Sequence, residues 1–279
     1  ITSHIFLAGR LLCDITDSRV RRNDRTRKVR TPMTFLLSND DGVHAPGLKM
    51  LAETLTAAGY DIRVSAPDRD RSGASNSLTL DRPLQVIHHD NGFASVDGTP
   101  TDAVHLALNE FHRDECERVI AGINSGANLG DDVLYSGTVA AATEGRFLGK
   151  TPIAISLCGK QHFATAGQVL VELLPKLVSM ALPRNAVINV NVPDLPYDQL
   201  TGVEVTRLGH RHKAENPVKV TNPRGKELLW ISTAGEVADA GPGTDFHAIE
   251  QGRVSITPIQ IDMTLHSMLV PMTEHFADK

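Results

Sequence analysis

The chain has 279 residues, 41% of them hydrophobic and 22% charged, with a formal net charge of −5. That is an ordinary globular composition, long enough for a sizeable core, and no apolar run approaches the roughly 20 residues that a membrane-spanning helix needs. One Trp and three Tyr supply no set of stacking platforms for single-stranded nucleic acid.

The charge is uneven. Residues 1–32 hold eight basic side chains (Arg10, Arg19, Arg21, Arg22, Arg25, Arg27, Lys28, Arg30) against Asp14, Asp17 and Asp24, a net of +5, so the remainder carries −10. An acidic body does not suit nonspecific duplex binding, and the three acids count against a transit peptide. Met33 opens the first convincing strand, so 1–32 reads as a disordered or non-native extension ahead of one α/β unit, 33–279. Cys13, Cys116 and Cys158 have neither metal-ligand spacing nor an even-numbered disulfide framework, which favours a reducing, cytoplasmic setting.

From Met33 onward, strands and helices alternate, the pattern of a doubly wound, Rossmann-like and mostly parallel sheet. Thr34–Leu37 is the first predicted strand, and it runs into Ser38-Asn-Asp-Asp-Gly42. A helix follows from Pro46, with Leu48, Leu51 and Leu55 on one face and Gly59 ending it. Asp61–Ala66 is the second strand, and 67–77 is a long polar loop. Leu84–His88 and Phe93–Val96 form a hairpin around Asp90-Asn-Gly92, and Pro100 starts a helix reaching about Glu110. Arg118–Ile123 leads into a Gly/Asn loop, then a helix over Val139–Leu148 with Ser136 or Thr138 as N-cap. Ile153–Leu157, a helix near Gly167–Met180 and Val187–Val192 continue the alternation. Thr201–Ser232 changes to two β-rich runs joined by Asn216–Gly225, read as a protruding hairpin whose apolar side chains need a partner.

Asp40 and Asp41 are adjacent acids at a strand end, where α/β proteins keep their functional loops. Neighbouring carboxylates repel unless a cation or a shared proton relieves them, and a hard divalent ion such as Mg²⁺ or Mn²⁺ prefers such oxygens. Ser72 and Asn124 also follow strands, so all four residues gather at the carboxyl edge of the sheet. The helix start near Ser136, Gly137 and Thr138 adds free N–H groups and a positive dipole end, with Asn128 close by in sequence. There is no GxGxxG and no Walker motif. Metal, acids and anion pocket together point to phosphoester hydrolysis. His210 and His212 flank Arg211 without a third ligand and read as surface or interface histidines rather than a zinc site. His44, near the acids, reads as a loop histidine. Asp239–Asp245 is a further polar loop, a candidate lid.

Several long runs resemble the SurE family, the stationary-phase survival proteins that are metal-dependent 5′/3′-nucleotidases. They are Leu36-Leu-Ser-Asn-Asp-Asp-Gly-Val-His-Ala-Pro-Gly47, Ala66-Pro-Asp-Arg-Asp-Arg-Ser-Gly-Ala-Ser-Asn76, Asp97-Gly-Thr-Pro-Thr-Asp102, Gly122-Ile-Asn-Ser-Gly126, Asn128-Leu-Gly130, Tyr135-Ser-Gly-Thr138 and Ser255-Ile-Thr-Pro258. The resemblance implies one divalent metal ion per subunit (Mg²⁺ or Mn²⁺) on Asp40, Asp41, Ser72 and Asn124, and phosphate held by Asn128, Ser136, Gly137 and Thr138. It further implies hydrolysis of nucleoside 5′- and 3′-monophosphates, with short polyphosphate as a further substrate and inorganic phosphate as product. It also implies a homodimer or homotetramer assembled through the 201–232 extension. The residues leave open whether Asp40 or Asp41 serves as base or as nucleophile. A nucleotide- or phosphate-sensing module without turnover is the alternative, because no Ser-His-Asp set or paired histidines announce covalent chemistry.

Overall fold

A computed structural model describes residues 33–232 and 235–277. The extension read at 1–32 lies outside the described residues. The chain builds β1 (Thr34–Ser38), α1 (Pro46–Ala57), β2 (Asp61–Pro67), β3 (Val86–His88), β4 (Phe93–Val96) and α2 (Pro100–Leu106). Next come β5 (Arg118–Ser125), α3 (Gly137–Glu144), β6 (Ile153–Leu157), α4 (Phe163–Ser179), β7 (Ala186–Val192) and β8 (Gly202–Val205). Then follow β9 (His210–Arg211), β10 (Val218–Thr221), β11 (Glu227–Trp230), β12 (Val237–Asp239), α5 (Asp245–Glu250), β13 (Arg253–Gln260) and α6 (Leu269–Ala277).

Nine strands form one sheet in the order β3-β4-β2-β1-β5-β6-β7-β13-β8. The run β4-β2-β1-β5-β6-β7 is parallel throughout, and β3 and β13 are antiparallel to their neighbours β4 and β7. This is the expected doubly wound α/β architecture. Strand order reverses at β1, with β2 on one side and β5 on the other, which makes the β1/β5 edge the topological switch point.

Period-2 alternation divides the core. Phe35 and Leu37 of β1, with Ile153, Ile155 and Leu157 of β6, pack against Leu48, Leu51 and Leu55 of α1 and Leu170, Leu173 and Leu174 of α4. Leu36, Val119, Ala121 and Ala154 face the other way, toward Val104 of α2 and Val139, Ala141 and Ala142 of α3. That second layer is built from small side chains, and it continues to Gly145, where a Cβ would lie 2.4 Å from Val119. Helix α3 therefore sits close on the sheet, and its first turn is carried to the end of β1.

Three expectations change, and one strand is additional to those expected. The predicted helix to Glu110 is α-helical only to Leu106 and then opens into a π-helical turn, Ala107–Phe111. Helix α4 begins at Phe163 rather than near Gly167, because Asp194 fixes the chain ahead of it: its carboxylate accepts the N–H groups of Lys160 (2.8 Å) and His162 (2.8 Å). The 201–232 segment is not one hairpin. Its first strand, β8, joins the main sheet beside β13, β9 pairs with β12, and the projecting arm is β10–β11 alone. Strand β13, between β7 and β8, comes from far along the chain. In the arm, Val218 pairs with Trp230 across a turn in which Asn222 Oδ1 accepts the N–H groups of Arg224 and Lys226.

The run Asp97–Asp102 is a latch. Thr99 caps α2, its hydroxyl oxygen accepting from the Asp102 N–H (3.0 Å) while the buried Asp102 carboxylate accepts from the Thr99 N–H (2.8 Å). The same carboxylate accepts the Thr79 N–H (2.9 Å) and hydroxyl (2.6 Å), which ties down the far end of the long polar loop. Gly98 is required, since a Cβ there would lie 2.6 Å from Asp102 Oδ2. Asp102→Ala removes three charge-assisted bonds and leaves their donors unpaired. It is expected to lower stability by about 2–4 kcal/mol in urea unfolding and to expose the 68–85 loop to proteolysis.

Candidate active site at the switch point

The end of β1 enters the site through buried Ser38, Asn39 and Asp40, with Asp41 half-buried. The main chain here is held on three sides. Asn39 Nδ2 donates to the Gly42 carbonyl (2.9 Å), Val43 N–H to the Pro67 carbonyl (2.8 Å), and Arg71 N–H to the Asp40 carbonyl (2.8 Å). The last two bonds bring the start of the 67–77 loop onto the acids. Gly42 has φ +102°, and a Cβ there would press on the Arg69 backbone at 3.0 Å, so this turn accepts only glycine.

Each acid has one fixed oxygen. Asp40 Oδ1 accepts the Thr138 hydroxyl, and Asp41 Oδ2 accepts the Ser125 N–H (2.9 Å). Asp40 lies against the first turn of α3, where a Cβ at Gly137 would come within 2.7 Å of the Asp40 Cβ. Burial pushes the Asp40 carboxyl up to about 6, with Asp41 and Asp70 adding repulsion and the Thr138 hydroxyl partly offsetting them. Burial also raises Asp41, offset by the Ser125 N–H and by Lys160. Asp70, by contrast, is held below the usual carboxylate range, first by the Ser72 hydroxyl (2.7 Å) and then by the Ser72 N–H (2.8 Å).

Asn124 stands at the end of β5, just past a bulge that shifts the register between Ala121↔Ala154 and Asn124↔Ser156. Its Nδ2 donates to the Gly126 carbonyl (3.0 Å), which leaves Oδ1 as a free acceptor. Ser72 Oγ donates to Asp70 and keeps its lone pairs. Asp40, Asp41, Ser72 and Asn124 therefore come together at one edge through the bonds Arg71–Asp40 and Ser125–Asp41. Among the described residues no three His, Cys, Asp or Glu side chains converge as a metal cage, and what the edge offers a cation is two carboxylates and neutral oxygens. Such a donor set, with two raised carboxyls beside it, fits a hard divalent ion that keeps several waters.

The anion side is equally defined. Ser136 is the N-cap of α3, its Oγ accepting the Val139 N–H (3.0 Å), so its own hydroxyl proton is free to donate. Thr138 is committed to Asp40 and acts on the site through that carboxylate. Asn128 is buried: its Nδ2 donates to Ser156 Oγ (2.8 Å), and its main chain is gripped by Asn189 and Asn191 of β7. One amide N–H of Asn128 is left over. Asp70 and Lys160 are the charged residues that the linear reading passed over; the Asp-Arg-Asp-Arg run held Asp70 in view, while nothing local marked Lys160.

Among the described residues no histidine hydrogen-bonds the Asp40 or Asp41 carboxylate. His44 is exposed and meets His89 edge-on at 5.3 Å, beside a cavity of about 330 Å³ between α1 and Phe93 that does not include the acids. His210 Nδ1 lies 3.3 Å from Asp131, and no metal cluster forms there among the described residues. The Asp239–Asp245 loop is fixed at both ends, by Arg207 on Asp239 (2.6 Å) and by the buried Asp245 accepting from Gly130 N–H (2.7 Å) and Gly209 N–H (2.8 Å).

A buried, raised carboxyl gives the cation-free protein a pH signature. Unfolded Asp ionises near pH 4 and folded Asp40 near 6, so between these values the unfolded state binds fewer protons and stability falls as pH rises. In chelator, Asp40→Asn is expected to remove that loss and to exceed the wild type by about 2–3 kcal/mol at pH 8, with no advantage at pH 4, in denaturant unfolding at both pH values.

Comparison with known proteins identifies the family. Residues 35–215 match the family model described as survival protein SurE. The chain is 58% identical over 244 residues to a protein of Marinobacter nauticus named 5′-nucleotidase SurE, covering 87% of this chain and 95% of the relative. It is 59% identical over 239 residues to one of the same name from Methylococcus capsulatus, covering 85% and 95%. The crystal structure of the SurE protein from Aquifex aeolicus superposes with a TM-score of 0.76 at 40% identity, over 88% of this chain and all of that one. On sequence and fold alike, the chain belongs to the SurE family.

Proposed function

We propose that this protein is a phosphomonoesterase that hydrolyses nucleoside 5′- and 3′-monophosphates to nucleoside and phosphate, with one Mg²⁺ or Mn²⁺ per subunit on Asp40, Asp41, Ser72 and Asn124. The nucleotidase activity rests on the family and on relatives named 5′-nucleotidase at close to 60% identity. The observation that carries the site assignment is the unrelieved Asp40–Asp41 pair, packed against the first turn of α3. A bound divalent ion there would screen phosphate charge and polarise a water.

The residues of the chain supply the rest. The substrate phosphate is placed between the two acids and the α3 start, where the Ser136 hydroxyl, the Gly137 and Thr138 N–H groups and the spare Asn128 N–H donate to its oxygens. Thr138 keeps Asp40 oriented through its hydroxyl. Asp40, with its raised carboxyl, and Asp41 are the candidates for proton acceptor or nucleophile. Short polyphosphate would meet the same donors. The test is phosphate release from 5′-AMP and 3′-AMP with Mn²⁺ or Mg²⁺, then with chelator. Asp41→Asn is expected to lose at least about 100-fold in kcat/KM, whereas Ser136→Ala should lose only about 2–13-fold, the worth of one neutral hydrogen bond. AMP binding without phosphate release would leave the sensing module.

The assembly proposal rests on exposed apolar surface. Leu229, Trp230 and Ile231 on the β10–β11 arm are 62%, 68% and 92% exposed, and α6 has no buried residue. Patches of this kind mark interfaces. A homodimer or homotetramer is expected by light scattering at micromolar concentration, and a Trp230→Glu, Leu229→Glu double variant should shift it toward smaller species.

A further inference from the structure

The charge balance at the site does not close on the carboxylates. Asp41 and Asp70 both repel charge on Asp40, while the arginines of the neighbouring loop are committed elsewhere: Arg69 and Arg71 pair with Asp68, and Arg71 also reaches the Asp97 carbonyl. Among the described residues, the cation whose charge reaches Asp41 and Asp70 is Lys160. Lys160 lies three residues past the end of β6, and β6 ends beside β5, where Ser125 pairs with Leu157 and Gly126 N–H donates to the Leu157 carbonyl (3.0 Å). Ser125 is also the residue whose N–H holds Asp41. The Lys160 loop thus follows the second strand over from β1, with only β5 between them.

The loop is built to hold its shape. Asp194 Oδ2 accepts the N–H groups of Lys160 (2.8 Å) and Gln161 (3.2 Å), and Oδ1 lies 2.8 Å from both the His162 N–H and the His162 Nδ1. Glycine is needed at 159, since a Cβ there would meet Asp194 Oδ2 at 2.0 Å. This is heavy fixation for an exposed turn. What it fixes is a lysine whose ammonium has no carboxylate within 4.0 Å among the described residues, although its charge acts on both Asp41 and Asp70. An ammonium near acids but paired with none is available to an anion that arrives between them.

We propose that Lys160 is a substrate-binding residue, its ammonium donating to a non-bridging oxygen of the phosphate on the side away from α3. The inference rests on the phosphatase reading and deepens it by naming a third donor group, from β6, beside the metal site after β1 and the anion site of α3. Two carboxylates and Asp70 set against a divalent cation and Lys160 make a neutral pocket. A dianionic phosphate then enters without facing net negative charge.

The test uses the full chain with saturating Mn²⁺. Lys160→Ala and Lys160→Gln are expected to raise KM for 5′-AMP and Ki for inorganic phosphate about tenfold, the scale of one charge-assisted bond. In both variants kcat should stay within about threefold, and the melting temperature and Mn²⁺ affinity should not fall. Lys160→Arg should return Ki to within about threefold of wild type. A phosphate Ki within twofold of wild type in both the Ala and Gln variants overturns the proposal, as does a loss confined to kcat. Phosphate binding by calorimetry separates the two readings. A wild type that binds phosphate in a Lys160-dependent way but releases none from AMP sinks the nucleotidase and keeps the lysine's role.

Discussion

Two adjacent carboxylates at the buried end of β1 repel each other, and most of the local structure answers to that repulsion. Asp40 is almost out of water, and the side chain that donates to its carboxylate is the Thr138 hydroxyl. Burial disfavours the ionised form, and Asp41 and Asp70 disfavour it further. A fold optimised for stability alone would place an apolar or amide residue there. The sequence instead surrounds the pair with features that keep it in place: a glycine-only turn at Gly42, a glycine at 137 that makes room for the Asp40 side chain, and an alanine-rich α3 that brings a helix start against it. Positive helix dipole and raised carboxyls make sense together when a cation and an anion both bind at the same edge.

A second pattern runs through the loops that frame this edge. Three aspartates, each distant in sequence from what it holds, accept backbone N–H groups and pin a loop. Asp102 pins the end of the 67–77 loop region at Thr79, Asp194 pins 160–162, and Asp245 pins Gly130 to Gly209. Main-chain donors in irregular segments must find acceptors, and a carboxylate satisfies several at once. The neighbouring glycines at 98 and 159 exist because a carboxylate occupies the space where a Cβ would project. Loops secured in this way present their polar groups at fixed positions, which lowers the ordering needed when a ligand binds.

These clamps also explain what local reading could and could not find. The strands from β1 to β7 and the start of α1 were legible because buried parallel strands are short apolar runs, with Gly and Pro marking their ends. The Asp40–Asp41 pair was legible because acids at a strand end contradict burial. The start of α4 was not, since its anchoring acceptor, Asp194, lies some thirty residues downstream. Strand β13 was hidden too. Pro258 in Arg253–Gln260 argues against a central strand, yet β8 pairs only with Arg253–Ile256, so the proline lies beyond the reach of β8. β8 in turn looked like part of the projecting arm, because its partner comes from fifty residues away. Lys160 gave no local signal at all: its significance depends on which strand stands next to β5.

The same arrangement connects stability to ligand binding. A site that holds like charges close together without a cation is under electrostatic load, and a ligand that relieves the load binds the folded state preferentially. Linkage then makes the folded state more stable in proportion to how far the free cation exceeds its dissociation constant, about 2.7 kcal/mol at a hundredfold excess. The energy that burying Asp40 costs the fold would thereby be recovered on binding a cation. On the proposed function, the positive charge that neutralises the acids would also ready the pocket for a phosphate, with the α3 N–H groups on one side and Lys160 on the other. On that reading, the charge repulsion that costs the fold stability would be the source of the site's affinity, first for the cation and then, through the cation, for the anion.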